Sequence, residues 1–96
     1  MRFEWDKKKA ALNFIKHGVS FDEAVTAFLD PQGRDGEDID HSFTEPRRLL
    51  LAETIDRKVV VVAYTVRRRG NEEATRIISA RRASRKERKA YAEETD

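Results

Sequence analysis

The chain has no cysteine, which removes disulfides and thiolate-ligated metals, zinc fingers included, from the functions open to it. That absence is compatible with a reducing cytoplasm. Its two histidines, His17 and His41, are far apart and lack helical pairing, so they make a poor metal pair and no metal site is expected. The N-terminus turns charged at Arg2 and Glu4 without an apolar signal core, and no run is long enough to span a bilayer. Glycine-rich phosphate loops, a nucleophilic serine elbow, catalytic carboxylate pairs, internal repeats and low-complexity tracts are also missing. These absences favour a soluble, cytoplasmic protein without a membrane role.

What remains is charge on a small apolar framework. Ninety-six residues, 40% charged and 39% hydrophobic, suffice for one domain with a modest core. The net charge of +2 conceals two unlike halves: residues 1–56 carry 8 Lys/Arg against 12 Asp/Glu, residues 57–96 carry 12 against 6. The densest cationic stretch follows the apolar run from Arg76 to Ala80 and comprises Arg81, Arg82, Arg85, Lys86, Arg88 and Lys89. A strand emptying into a basic helix start presents charge to a polyanion, and the expected polyanion is RNA.

Local signals give the order β-α-α-β-β-β-α. Arg2 to Trp5 alternates charged and aromatic residues as a brief flanking strand, with Phe3 and Trp5 on one face. Asp6 caps a helix through Lys16 whose apolar positions are Ala11, Leu12 and Ile15, and Gly18 stops it. Ser20 and Glu23 form a capping box before a second helix that ends at Asp30-Pro31. Residues 32–46 read as a polar, acidic loop, with a short extra strand around Ile39 to Phe43 as an option. Arg47–Ile55 and Lys58–Val66 form an antiparallel hairpin, and the second strand is apolar on both faces through Val59 to Ala63. A reverse loop from Arg67 to Thr75 leads to the strand Arg76–Arg81, and Ser84 with Glu87 caps a final basic helix. The expectation is an α+β domain with an antiparallel sheet of three to four strands, two N-terminal helices and one C-terminal helix.

The segments Phe3-Glu4-Trp5-Asp6, Asn13-x-x-Lys16-His17-Gly18-Val19-Ser20-Phe21 with Glu23-Ala24, Asp30-Pro31, the tyrosine-bearing strand and Arg76-Ile77-Ile78-Ser79-Ala80-Arg81-Arg82-Ala83 together resemble the BrnT family of type II toxins. The resemblance covers nearly the whole chain and is most specific in Lys-His-Gly-Val-Ser-Phe and Ile-Ile-Ser-Ala-Arg-Arg-Ala. It implies a single toxin domain over residues 1–96, a RelE-like fold, and an endoribonuclease that needs no metal or cofactor and inhibits translation. It also implies neutralisation by a cognate antitoxin resembling BrnA, of ribbon-helix-helix type, in a hetero-oligomeric complex that meets DNA only through the antitoxin.

Such a nuclease uses a ribose 2′-hydroxyl as nucleophile, so the protein must move two protons and neutralise a pentacoordinate phosphate. Strand alternation places Arg81 and Arg82 on opposite faces, with Arg81 on the side of Ser79. Arg81 is the favoured phosphate clamp, its alternative being a solvated strand end or an ion pair. His17 suits proton transfer because its reference pKa is near ~6.5; a helix C-terminus gives it an equally good structural role. Tyr91 on the last helix reaches toward the cleft as an aid to proton transfer or base stacking, or packs as core with a polar tip. Lys16, Arg67 and Arg82 are expected to hold RNA, and Tyr64 to be core. The competing reading is a non-catalytic nucleic-acid-binding module built on the same arginines, with a structural adaptor as a third.

Overall fold

The computed structural model describes residues 1–41 and 45–95. Its elements are β1 (Phe3–Glu4), α1 (Lys7–His17), α2 (Phe21–Thr26) continued by a 3-10 turn (Ala27–Leu29), β2 (Arg34–Glu37), a 3-10 turn (Ile39–His41), β3 (Arg48–Glu53), β4 (Val59–Arg69), β5 (Glu72–Arg82) and α3 (Arg85–Thr95). The fold is α+β, with one five-stranded sheet in the order β1-β5-β4-β3-β2. The expected all-antiparallel sheet is corrected here: β1 pairs parallel to β5, with Phe3 opposite Thr75 and Glu4 opposite Arg76. Two residues at an edge carry no periodicity from which their direction could be read.

The helix starts follow the caps. Asp6 accepts from the backbone N–H groups of Lys8 and Lys9 at 2.8 and 3.1 Å, and Gly18 closes α1 in the left-handed region with φ 70°. Only glycine enters that region without steric cost, so its N–H reaches the Phe14 carbonyl at 2.8 Å. The face that α1 turns inward differs from the expected one. Leu12 and Ile15 are exposed, whereas Asn13 is buried and Ala10 packs against the core. The reason is a polar debt at the edge of β5. The Asn13 side-chain N–H₂ donates to the carbonyls of Ala80 and Val19 at 2.8 and 3.0 Å, and its oxygen accepts from the Ala80 N–H at 3.1 Å. Among the described residues no further strand continues the outer edge of β5 beyond β1, and this amide supplies the pairing a strand would have given.

At α2 the Ser20 hydroxyl accepts from the Glu23 N–H at 3.0 Å, but the Glu23 carboxylate is engaged across the fold. It accepts from the Thr54 hydroxyl at 2.9 Å and the Lys58 ammonium at 3.2 Å, tying the helix to the β3–β4 hairpin. The Ser84 box is complete: the Glu87 N–H donates to the Ser84 hydroxyl and the Ser84 N–H donates to the Glu87 carboxylate.

The core lies on one face of the sheet, where Leu50, Val60, Val62, Tyr64, Ile77 and Ala80 meet Val19, Phe21, Ala24 and Ala27 of the helical layer. Aromatic edges lock the layers, with Phe28 5.0 Å from both Phe3 and Tyr64 and Trp5 5.9 Å from Phe21. Tyr64 is core, as expected. The extra strand lies at Arg34–Glu37 instead of near residue 40, where Ile39–His41 form a 3-10 turn; the expected strand's Phe43 lies outside the described residues. Exposed along its length, β2 gains its place from the ladder to β3, which apolar periodicity cannot reveal. The expected loop from Arg67 to Thr75 is largely strand: β4 runs to Arg69, and β5 begins at Glu72 after Gly70 (φ 63°) and Asn71. Cross-strand charge holds this ribbon, Arg68 pairing with Glu73 at 3.0 Å.

Candidate active site

Alternation along β4 sends Val61 and Ala63 to the face away from the core layer, and β3 and β5 contribute Leu49, Ser79 and Arg81 beside them. With Asp38, Asp40, His41 and Arg47 these side chains line an open cleft of about 360 Å³. A register shift between Ala63 and Tyr64 helps to make this surface. Ser79 opposes Ala63 and Ile77 opposes Tyr64, so Ile78 is the extra residue of a bulge, and Ser79 and Arg81 therefore face the cleft while Ile77 and Ala80 stay in the core.

Arg81 is held in a fork. Its Nη1 and Nη2 donate to Glu87 Oε1 and Oε2 at 2.7 and 3.0 Å. The pair fixes the guanidinium plane at the mouth of α3; Nη1 also donates to the Arg82 carbonyl at 3.4 Å, which leaves the Nε–H and the second Nη2 N–H for another acceptor. Hydrogen bonding to Arg81 drives the Glu87 carboxyl down to about 2, against the opposing effect of burial. The same contact raises Arg81 further above its already high range.

Across the cleft His41 Nδ1 lies 3.1 Å from both oxygens of Asp38, whose side chain is nearly buried while the imidazole is open to solvent. A carboxylate on Nδ1 orients the ring and favours the tautomer that leaves Nε2 available for proton transfer. The sequence reading passed over this pair because it weighed His41 only as a metal ligand. The available signal was the Asp38-x-x-His41 spacing, which an ordinary turn also produces.

The residues put forward from sequence separate in space. Arg81 lines the cleft, and Arg67 shares the same face of β4 but lies six positions from the Val61–Arg81 pair, roughly 20 Å along the strand. There Arg67 pairs with Glu45 at 3.1 Å, beside the Arg76–Glu4 and Arg2–Glu72 pairs, so the far end of the face is largely self-neutralised. Arg82 is exposed and alternates to the opposite side. His17, half-buried, and the exposed Lys16 end α1 in the helical layer. Tyr91 donates its hydroxyl to Asp30 Oδ2 at 2.6 Å, an oxygen that also accepts from the Glu53 N–H at 2.8 Å. Burial and the neighbouring Asp30 carboxylate push Tyr91 up to about 12. Burial alone would raise Asp30, but the hydrogen bonds from Tyr91, Glu53 and Gln32 outweigh it and hold the carboxyl below its ordinary range.

Among the described residues no group of three or more His, Cys, Asp or Glu is placed to hold a metal ion, and no helix is long and apolar enough to cross a membrane.

The chain is similar in structure to the ribonuclease toxin BrnT of Brucella abortus, with a TM-score of 0.63 and 24% identity, over 88% of this chain and 99% of that one. At that identity the likeness speaks for the fold. A search of curated proteins gave no match. The model of the BrnT family, described as the ribonuclease toxin of a type II toxin-antitoxin system, matches residues 5–87. With most of its length matched, the chain belongs to the BrnT family of ribonuclease toxins of type II toxin-antitoxin systems.

Proposed function

We propose that this toxin is a metal-independent endoribonuclease of RelE-like type that cuts RNA in the cleft on the open face of the sheet. The carrying observation is the placement of a rigidly held arginine and a carboxylate-oriented histidine in one cleft: Arg81 fixed by Glu87, and His41 fixed by Asp38.

In this reading the ribose 2′-oxygen bonds to the adjacent phosphorus and the bond from phosphorus to the 5′-oxygen breaks. The 2′-hydroxyl gives its proton to a base and the departing 5′-oxygen receives one, leaving a 2′,3′-cyclic phosphate and a 5′-hydroxyl. Arg81 holds the phosphorane oxygens through its remaining N–H groups, an interaction strongest when negative charge peaks. His41 Nε2 takes or returns one proton, and Asp38 stabilises the imidazolium formed. Arg67, Arg82 and Lys16 serve as outlying contacts to RNA phosphates. Tyr91, bound to Asp30, anchors α3 and so keeps Glu87 in place, and His17 acts at the end of α1. The neutralising partner is a BrnA-like antitoxin of ribbon-helix-helix type, a reading supported by the family's type II system.

The test is incubation of purified, antitoxin-free toxin with end-labelled RNA in EDTA, with and without ribosomes. Wild type is expected to leave cyclic or 3′-phosphate ends, with rates reduced by about 10²- to 10³-fold in Arg81→Ala and by about 10²-fold or more in His41→Ala. A His41→Ala protein as active as wild type would remove His41 from proton transfer. RNA left whole under every condition would return the protein to a non-catalytic nucleic-acid-binding module.

A further inference from the structure

α1 wears its large apolar side chains on the outside. Leu12, Phe14 and Ile15 are 66%, 55% and 80% exposed, while the inward side is made by Ala10, Asn13 and His17. At 100° per residue, Phe14, Ala11, Ile15 and Leu12 form one continuous stripe about 160° wide. Lys9 and Lys16 flank its Leu12 edge, Lys7 and Lys8 close its N-terminal end, and α1 contains no acidic residue. The helix is thus attached through a buried amide and offers solvent an apolar face with a basic rim, the inverse of an ordinary surface helix.

We propose that this face is the docking site of the antitoxin, which meets it with an amphipathic segment carrying apolar side chains flanked by carboxylates. The proposal rests on the family membership, which supplies a protein partner, and on charge complementarity, which specifies its character. A second copy of this chain fits poorly. A two-fold α1–α1 contact sets the same surface against itself, and with four lysines and no acid on the helix every charged approach is repulsive. A partner helix with carboxylates beside its apolar stripe removes that repulsion and covers Leu12, Phe14 and Ile15.

The location has a consequence for neutralisation. α1 belongs to the helical layer, whereas Arg81 and His41 open on the other face of the sheet. Leu12, Phe14 and Ile15 are therefore separate from the cleft residues Arg81 and His41, and either set can be changed without the other.

The experiment uses the Leu12→Glu/Ile15→Glu double variant, with Leu12→Gln/Ile15→Gln as a milder second pair. Circular dichroism confirms the fold, and affinity for the purified cognate antitoxin is measured by titration calorimetry. The expected result is at least 100-fold weaker binding, with RNA cleavage by the antitoxin-free protein within twofold of wild type. Lys8→Glu is expected to weaken binding further as salt is lowered, the reverse of wild type. Antitoxin affinity unchanged in both folded double variants would overturn the proposal. So would a wild-type dimer in sedimentation that either variant turns into a monomer, which assigns the face to a second copy. Wild-type binding to phosphatidylglycerol vesicles, lost in the variants while antitoxin affinity stays intact, would overturn it in favour of a lipid surface. If wild type cleaves no RNA, the ribonuclease mechanism fails while the affinity comparison still decides this site.

Discussion

Arg81, the penultimate residue of β5 and three positions before Ser84, and Glu87, in the first turn of α3, share two hydrogen bonds of 2.7 and 3.0 Å. The same carboxylate accepts from the Ser84 N–H at 2.7 Å. One side chain thus starts the last helix and aims the cleft's arginine, coupling a local cap to the geometry of the site.

Arg81→Lys keeps the charge but replaces a planar fork by a point charge on a flexible stem. RNA cleavage is expected to fall by about 10²-fold while the circular dichroism spectrum is retained. Full activity in a folded Arg81→Lys protein would show that bidentate geometry is irrelevant to the reaction.

Acid should undo this junction late. Arg81 holds the Glu87 carboxyl at about 2 against an ordinary value of 4.5. The unfolded chain therefore takes up that proton first on acidification. The stabilisation is complete above the ordinary value and is lost as pH falls through the window down to about 2. In Glu87→Gln the melting temperature is expected to be lower near neutrality and to depend less on pH within that window. Parallel curves for the two proteins across it would disprove the linkage.

Asn13→Ala strands the N–H and carbonyl of Ala80 in a buried setting. A loss of about 2–4 kcal/mol is expected, seen as a fall in melting temperature of roughly 10 °C or more. Asn13→Asp should be at least as harmful, because a carboxylate faces the Ala80 and Val19 carbonyls where the amide donated.

Tyr91→Phe removes the hydroxyl that donates to Asp30 and costs about 1–3 kcal/mol in stability. Cleavage per folded molecule at low temperature is expected to stay within twofold of wild type. A large drop in rate without a change in melting temperature would place the Tyr91 hydroxyl in proton transfer instead of anchoring.

Much of this was legible residue by residue. Asp6, Ser20 and Ser84 start helices where a short polar acceptor must satisfy free N–H groups, and Gly18 ends one where only glycine turns freely. The alternation rule separated Arg81 from Arg82 and set Arg81 beside Ser79, a relation that the bulge at Ile78 leaves intact because both follow it. The His41–Asp38 pair was hidden because its meaning depends on the strands it faces, and Tyr91's partner Asp30 lies 61 positions away.

By itself the sequence determined the local terms: where helices begin and stop, that the apolar runs at the centre of the sheet are extended, that no thiol chemistry exists, and that positive charge gathers in the second half. These follow from neighbouring residues satisfying one another's backbone. The tertiary structure decided the direction of β1, the place of the polar strand β2, the inward turn of Asn13 over Leu12 and Ile15, and the side of the sheet on which each cation stands. Those outcomes depend on distant backbone groups that must be paired once buried, and only the assembled sheet brings the partners within reach.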